Sequence, residues 1–243
     1  MKDYLQDLIQ HTYGLGVIEL VKVVGTDKET NVYANTENKT LIFNGKFNTP
    51  IADFIGVFGM PNLDRLKTIL GFEEYDEHAI IKVLRQNKDG EDVPASIQFV
   101  TKISDFTNDY RLMAKSLVEE KIKTIKFAGA TWNIEFVPTL EGIMRLKKQA
   151  SANNTETNFV MKVDKGDLKC YFGDIGTHSG NFVFQSQVNG SLSRPLIWPI
   201  KVFQSIMDLP GDKTIRLSDQ GVAEIVVDSG LGVYYYRLPA QTK

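Results

Sequence analysis

Two stretches of the chain carry one pattern, Pro-Ile-x-x-Phe-x-x-apolar-apolar-x-apolar-Pro, at Pro50 to Pro61 and at Pro199 to Pro210. A proline suits the first turn of a helix, where its missing N–H has no helical partner in any case, and a closing proline suits a sharp stop. Each stretch therefore predicts a short helix. Two such signals in one chain point to a duplicated unit, and an internal repeat constrains a fold more tightly than any single motif.

The chain's 243 residues, with 42% apolar and 24% charged, are enough for one large soluble domain or two of middling size. No apolar run approaches the roughly 20 residues of a membrane span. The segment Met1 to Gln10 lacks the basic-then-apolar profile of a signal peptide, so the expected location is a cytoplasm, that of the host if the chain is viral. Cys170 is the only cysteine, which excludes an internal disulfide and a cysteine zinc site and agrees with a reducing compartment. Within Leu168-Lys169-Cys170-Tyr171-Phe172 it reads as a buried strand residue rather than a reactive thiol. The net charge of −2 argues against nucleic-acid binding by overall charge and leaves room for a local basic surface.

Most of the chain alternates on a strand period between turn signals. Four hairpins are predicted: Val17 to Val24 with Asn31 to Asn35, Ala79 to Arg85 with Ala95 to Lys102, Phe159 to Val163 with Leu168 to Phe172, and Thr214 to Leu217 with Val222 to Val227. Helical periods appear over about Asp3 to Tyr13, with Leu5, Leu8, Ile9 and Thr12 on one face, and over Thr139 to Ser151. In the second of these Ile143, Leu146 and Ala150 form the apolar face, Arg145 and Lys148 point away, and Lys147 flanks it. Each half then reads as helix, hairpin, strand (Leu41 to Phe47; Phe182 to Val188), Pro-Ile helix, hairpin, and Leu231 to Leu238 adds a last strand. The expected fold is α+β, two similar domains of antiparallel strands with short helices covering one face. The predicted boundaries are 1–104, a charged stretch 105–124 that reads as a connector or as a short helix capped by Asn108, and 125–243. Asn62 to Glu77 reads as an insertion in the first half.

That order, twice over with a charged connector between, resembles the sliding clamps of DNA replication, the family that includes proliferating cell nuclear antigen. The likeness is strongest from Asn133 onward, through Leu209-Pro210-Gly211-Asp212-Lys213 and Val226-Val227-Asp228-Ser229-Gly230 to Tyr234-Tyr235-Tyr236-Arg237-Leu238-Pro239-Ala240, and is similar to clamps of tailed phages. The resemblance implies a ring of head-to-tail subunits, commonly a homotrimer, with helices lining a hole and sheets outside. It also implies a DNA polymerase processivity factor whose partners are duplex DNA held topologically, a replicative polymerase, a clamp-loader ATPase and late-transcription factors. The DNA-facing residues it implies are Arg145, Lys147, Lys148 and Lys201, with Lys2 as a marginal addition. The competing reading is that these are ordinary solvated charges on amphipathic helices. The implied partner-peptide pocket is bordered by Tyr236, Leu238, Pro239 and Ala240, with Tyr110, Leu112 and Met113 of the connector as its other wall. Core packing of these side chains is the alternative.

Catalytic signatures are missing from the sequence. His11, His78 and His178 are far apart, Gly14-Leu15-Gly16 lacks a third glycine at dinucleotide spacing, and no P-loop or G-x-S-x-G elbow occurs. Asp164, Asp167 and Asp174 are explained by turn geometry rather than by a metal. The expectation is therefore a protein with no enzymatic activity, metal or cofactor. A ring-forming structural protein of a phage virion, from tail or baseplate, is the alternative function.

Overall fold

The computed structural model describes residues 1–88, 90–123, 127–174, 176 and 178–241, with Lys88 described by its backbone only. Asp89 of one predicted turn and the predicted boundary at 124/125 lie outside the described residues. The chain divides into two compact units, Met1–Thr36 with Phe43–Lys126 and Ser229–Tyr234, and Glu37–Ile42 with Phe127–Asp228 and Tyr235–Lys243.

The first unit runs α1 (Lys2–His11), β1 (Val21–Gly25), β2 (Thr30–Asn35), β3 (Ile42–Phe47), β4 (Gly56–Met60), α2 (Leu63–Leu70), β5 (Ile80–Lys88), β6 (Glu91–Val100), β7 (Thr107–Arg111) and α3 (Lys115–Lys121). Its strands lie in the orders β4-β1-β2-β3 and β5-β6-β7. The second runs β8 (Ile134–Phe136), α4 (Leu140–Ala152), β9 (Asn158–Asp164), β10 (Asp167–Gly173), β11 (Ser179–Gln185), β12 (Leu196–Pro199), α5 (Ile200–Asp208), β13 (Asp212–Ser218), β14 (Val222–Asp228) and β15 (Gly232–Pro239). Its orders are β12-β9-β10-β11 and β15-β14-β13-β8. Helix, four strands, helix, three strands therefore occurs twice, and β4-β1-β2-β3 has its counterpart in β12-β9-β10-β11. The pairs β1–β2, β1–β4, β6–β7, β9–β10, β9–β12 and β13–β14 are antiparallel, so the fold is α+β.

Alternation decides which strand face is buried. In β2, Thr30, Val32 and Ala34 point inward, and in β15 so do Gly232, Tyr234, Tyr236 and Leu238. In the first unit Phe43, Phe54, Phe58, Phe99 and Tyr110 are almost fully buried, and in the second so are Phe159, Phe172, Trp198, Phe203, Tyr236 and Leu238. Each large apolar side chain so buried contributes about 1.5–3 kcal/mol relative to exposure. Cys170 is fully buried in β10, and burial pushes its thiol well above the ordinary range, which makes it a packing residue. No helix among the described residues is long and apolar enough to cross a membrane.

Three expectations are corrected. The first Pro-Ile stretch is not a helix: one 3-10 turn at Ala52–Phe54 leads straight into β4. Gly56 adopts φ of 122°, and a Cβ at Gly59 would lie 2.8 Å from Val118, so the two glycines serve an extended strand in close contact with α3. Nor is Asn62 to Glu77 an insertion, because it contains α2, the true counterpart of α5, whose Leu63, Leu66, Ile69 and Leu70 face the core. Finally, Asn108 caps no helix. It lies within β7, and α3 starts after Ala114.

Candidate functional site

Cations gather on two helices of the second unit. Thr139 caps α4 by accepting the Gly142 N–H at 3.0 Å, as an N-cap threonine should. Gly142, Leu146 and Ala150 are buried, and a Cβ at Gly142 would lie 2.6 Å from the Phe184 carbonyl oxygen, so the helix sits tightly on β11. The opposite face projects Arg145, Lys147 and Lys148 into solvent. On α5, Ile200, Val202, Phe203, Ile206 and Met207 are buried, and Lys201 is exposed.

Of these four cations, Arg145 bonds Glu141 one helical turn away and Lys147 pairs with Asp208 of α5. Lys148 and Lys201 form no ion pair with a described residue. Exposed pairs of this kind contribute only about 0–1 kcal/mol, so an incoming anion can displace them at little cost. Lys2 is placed differently: it is half-buried, and its ammonium donates to the Tyr75 carbonyl oxygen.

Sequence reasoning missed the cations of the first unit. Arg65 and Lys67 are exposed on α2, and Lys67 lies 5.6 Å from the Tyr13 ring centroid. Lys67 also lines a hollow of about 400 Å³ with Gln6, Ile9, Gln10, Gly14, Leu70 and Gly71. The signal was available in the 3.6-residue spacing of Leu63, Leu66, Ile69 and Leu70 directly after Pro61.

Three of the seven residues of the implied peptide pocket, Tyr110, Tyr236 and Leu238, are buried. Tyr110 is 2% exposed, its hydroxyl donates to the Pro61 carbonyl oxygen, and burial raises its pKa. Tyr236 and Leu238 have no exposed area. Leu112 and Met113 are half-buried, and Met113 exchanges two backbone hydrogen bonds with Gly59 at 2.8 and 2.9 Å. Pro239 and Ala240 are half-buried on the terminal segment.

Ala240 borders a groove of about 640 Å³ in the second unit, together with Val160, Lys162, Tyr171, Pro195 and Ile197. The terminal segment is itself tied down at the rim, where Ala240 N–H donates to Gly221 O at 2.8 Å and Gln241 N–H donates to Ile197 O at 2.9 Å. Val160, Tyr171 and Ile197 project from the sheet face opposite buried Phe159, Cys170 and Trp198. Because neighbouring strand residues point to opposite faces, the groove follows from the same alternation that builds the core.

One buried polar cluster in the first unit is structural. Burial works against ionisation of Asp7, but bonds from His11, Tyr234 and Ser229 outweigh it and hold the carboxyl below its ordinary range. Tyr234 O–H donates to Asp7 Oδ2 at 2.5 Å, Ser229 O–H donates to the same oxygen at 2.9 Å, and His11 Nδ1 lies 3.2 Å from Asp7 Oδ1. The His11 and Tyr234 rings stack at 4.4 Å, so α1 is fixed to the Ser229–Tyr234 segment of its own unit.

This set of elements is that of the sliding-clamp fold. The chain is similar over 100% of its length, and over 96% of the other chain, to the structure of the C-terminal region of FEN-1 bound to A. fulgidus PCNA, with a TM-score of 0.72 and 11% identity. It is similar over 99% of its length to proliferating cellular nuclear antigen from Entamoeba histolytica, covering 94% of that chain, with a TM-score of 0.69 and 11% identity. PCNA from Thermococcus kodakaraensis aligns over 99% of this chain and 95% of its own, with a TM-score of 0.65 and 10% identity. No protein-family model matches the sequence, and no curated protein does.

Proposed function

We propose that the protein is a DNA sliding clamp, a ring that encircles duplex DNA and tethers a replicative polymerase as its processivity factor. The observation that carries this reading is the clamp fold over the full chain, at a TM-score of 0.72. The exposed cations of α4 and α5 support it, because lysines and arginines that only offset phosphate charge give weak, salt-screened, sequence-independent contacts and leave a ring free to slide. Arg65 and Lys67 on α2 extend the same role to the first unit. Such a protein needs no active site of its own, and ring opening falls to a clamp-loader ATPase.

Open sheet edges supply a reason for assembly. Strands β7 and β11 each lie at an edge of their sheet. Pairing β11 of one copy with β7 of the next would satisfy two open edges and propagate head to tail until a ring closes, a homotrimer in this reading. The phage-type assignment, with host cytoplasm as the location and late-transcription factors as further partners, rests on the terminal stretch Tyr234 to Ala240. The groove beside Ala240 takes the role of the partner-tail pocket.

The test is primer extension on a long single-stranded template by the cognate polymerase and loader. Long products that depend on this protein are expected. Product lengths unchanged by its addition would overturn the reading.

A further inference from the structure

The groove beside Ala240 has a charge character that an apolar anchor site does not require. Among the described residues its lining includes two cations, Lys162 and Arg194, and no carboxylate. The Lys162 ammonium lies 4.6 Å from the Tyr171 ring centroid, which fixes its place over the groove without neutralising it. Nearby Asp164 is already taken, since its Oδ2 is 2.7 Å from the Lys169 ammonium. Arg194 reaches only a backbone acceptor, the Asp219 carbonyl oxygen at 3.5 Å, while the Asp219 carboxylate accepts the Ser193 N–H at 2.8 Å. Among the described residues neither Lys162 nor Arg194 forms an ion pair.

Between the two cations, Val160, Pro195, Leu196 and Ile197 supply an apolar floor. Close by, the terminal segment shows that extended backbone is accepted here, because Gln241 N–H donates to Ile197 O. The site therefore offers backbone pairing at its rim, apolar contact at its floor and, in its lining, two cations that form no ion pair among the described residues.

We propose that the occupant is an extended acidic peptide tail of a partner protein, in which an aliphatic or aromatic anchor is flanked by carboxylates that pair with Lys162 and Arg194. This rests on the partner-tail reading of the groove and adds the chemistry by which it selects its ligand. Complementary charge of this kind sets which tails bind and how fast, while the anchor supplies most of the affinity.

The experiment is selection of a displayed library of short random peptides on the immobilised full-length protein, followed by fluorescence anisotropy on the enriched sequences. Enriched peptides are expected to carry Asp or Glu beside an apolar anchor. Replacing their acidic residues by Asn or Gln, or making Lys162→Glu with Arg194→Glu, should each weaken binding about fivefold to tenfold at low salt, with less effect at high salt. Neutral or basic winners, winners insensitive to the double charge reversal, or no enrichment would each overturn the proposal. Primer extension separates the two levels: stimulation without acidic selectivity removes this inference alone, whereas absent stimulation removes the clamp reading. Circular dichroism of the double variant, whose substitutions are at the surface, controls for misfolding.

Discussion

Replacing Arg145, Lys148 and Lys201 together with glutamate is expected to abolish most of the protein-dependent extension by the polymerase while leaving the fold intact. The three side chains are exposed on α4 and α5, away from the buried faces built by Leu146, Ala150, Phe203 and Ile206, so stability has little reason to change. Their loss removes up to three phosphate contacts per subunit, and the reversed charges add repulsion. The slope of log affinity against log salt should fall by up to about 3 per subunit, with at least a tenfold loss of stimulation at moderate salt. Lys147 makes a useful contrast. It is already paired with Asp208, so Lys147→Glu alone should matter less than Lys148→Glu alone. Unchanged stimulation by the triple variant at several salt concentrations would show that α4 and α5 do not face DNA.

Leu238→Ala is expected to destabilise the second unit by about 2–5 kcal/mol, because a fully buried leucine is truncated and a cavity remains. Total stabilities are only about 5–15 kcal/mol, so a shift of that size is a large fraction of the whole. Chemical denaturation monitored by circular dichroism measures it. A surface-pocket role for Leu238 leads to the opposite pattern, lost peptide affinity with an unmoved unfolding midpoint. Tyr236, equally buried on the same strand face, should behave as Leu238 does. Ala240 should behave oppositely, since it borders the groove and a larger side chain there would obstruct a tail with little effect on folding.

The difference between Leu238 and Ala240 also marks where sequence reasoning stopped. Alternation along Gly232 to Pro239 identifies which residues share a face, and α+β architecture in two similar units follows from hairpins and helices read that way. The pattern does not say which face is covered. A terminal Tyr-x-Leu is compatible with a pocket rim or with a core, and only the sheet packed behind it decides. At Pro199 the helix was legible because Ile200, Phe203, Ile206 and Met207 keep a helical spacing after proline. The same letters at Pro50 misled, since Gly56 and Gly59 supply no side-chain packing to a helix and instead let the extended β4 pass close to Pro94 and Val118 while it pairs with β1. Taking that stretch as a helix displaced the true one, α2, into an apparent insertion and hid Arg65 and Lys67 with it. The groove was illegible for a further reason: Val160, Tyr171, Ile197 and Ala240 come from four separate segments, and only the strand order β10-β9-β12 and the path of the terminal segment bring them together.

The most direct test of the central claim is electron microscopy of the purified full-length protein in negative stain, with class averages collected over a range of concentrations. Closed rings of identical subunits, with a central hole wide enough for duplex DNA, are expected to accumulate as concentration rises. Compact single particles or open filaments at every concentration would contradict a clamp that closes through β7 and β11.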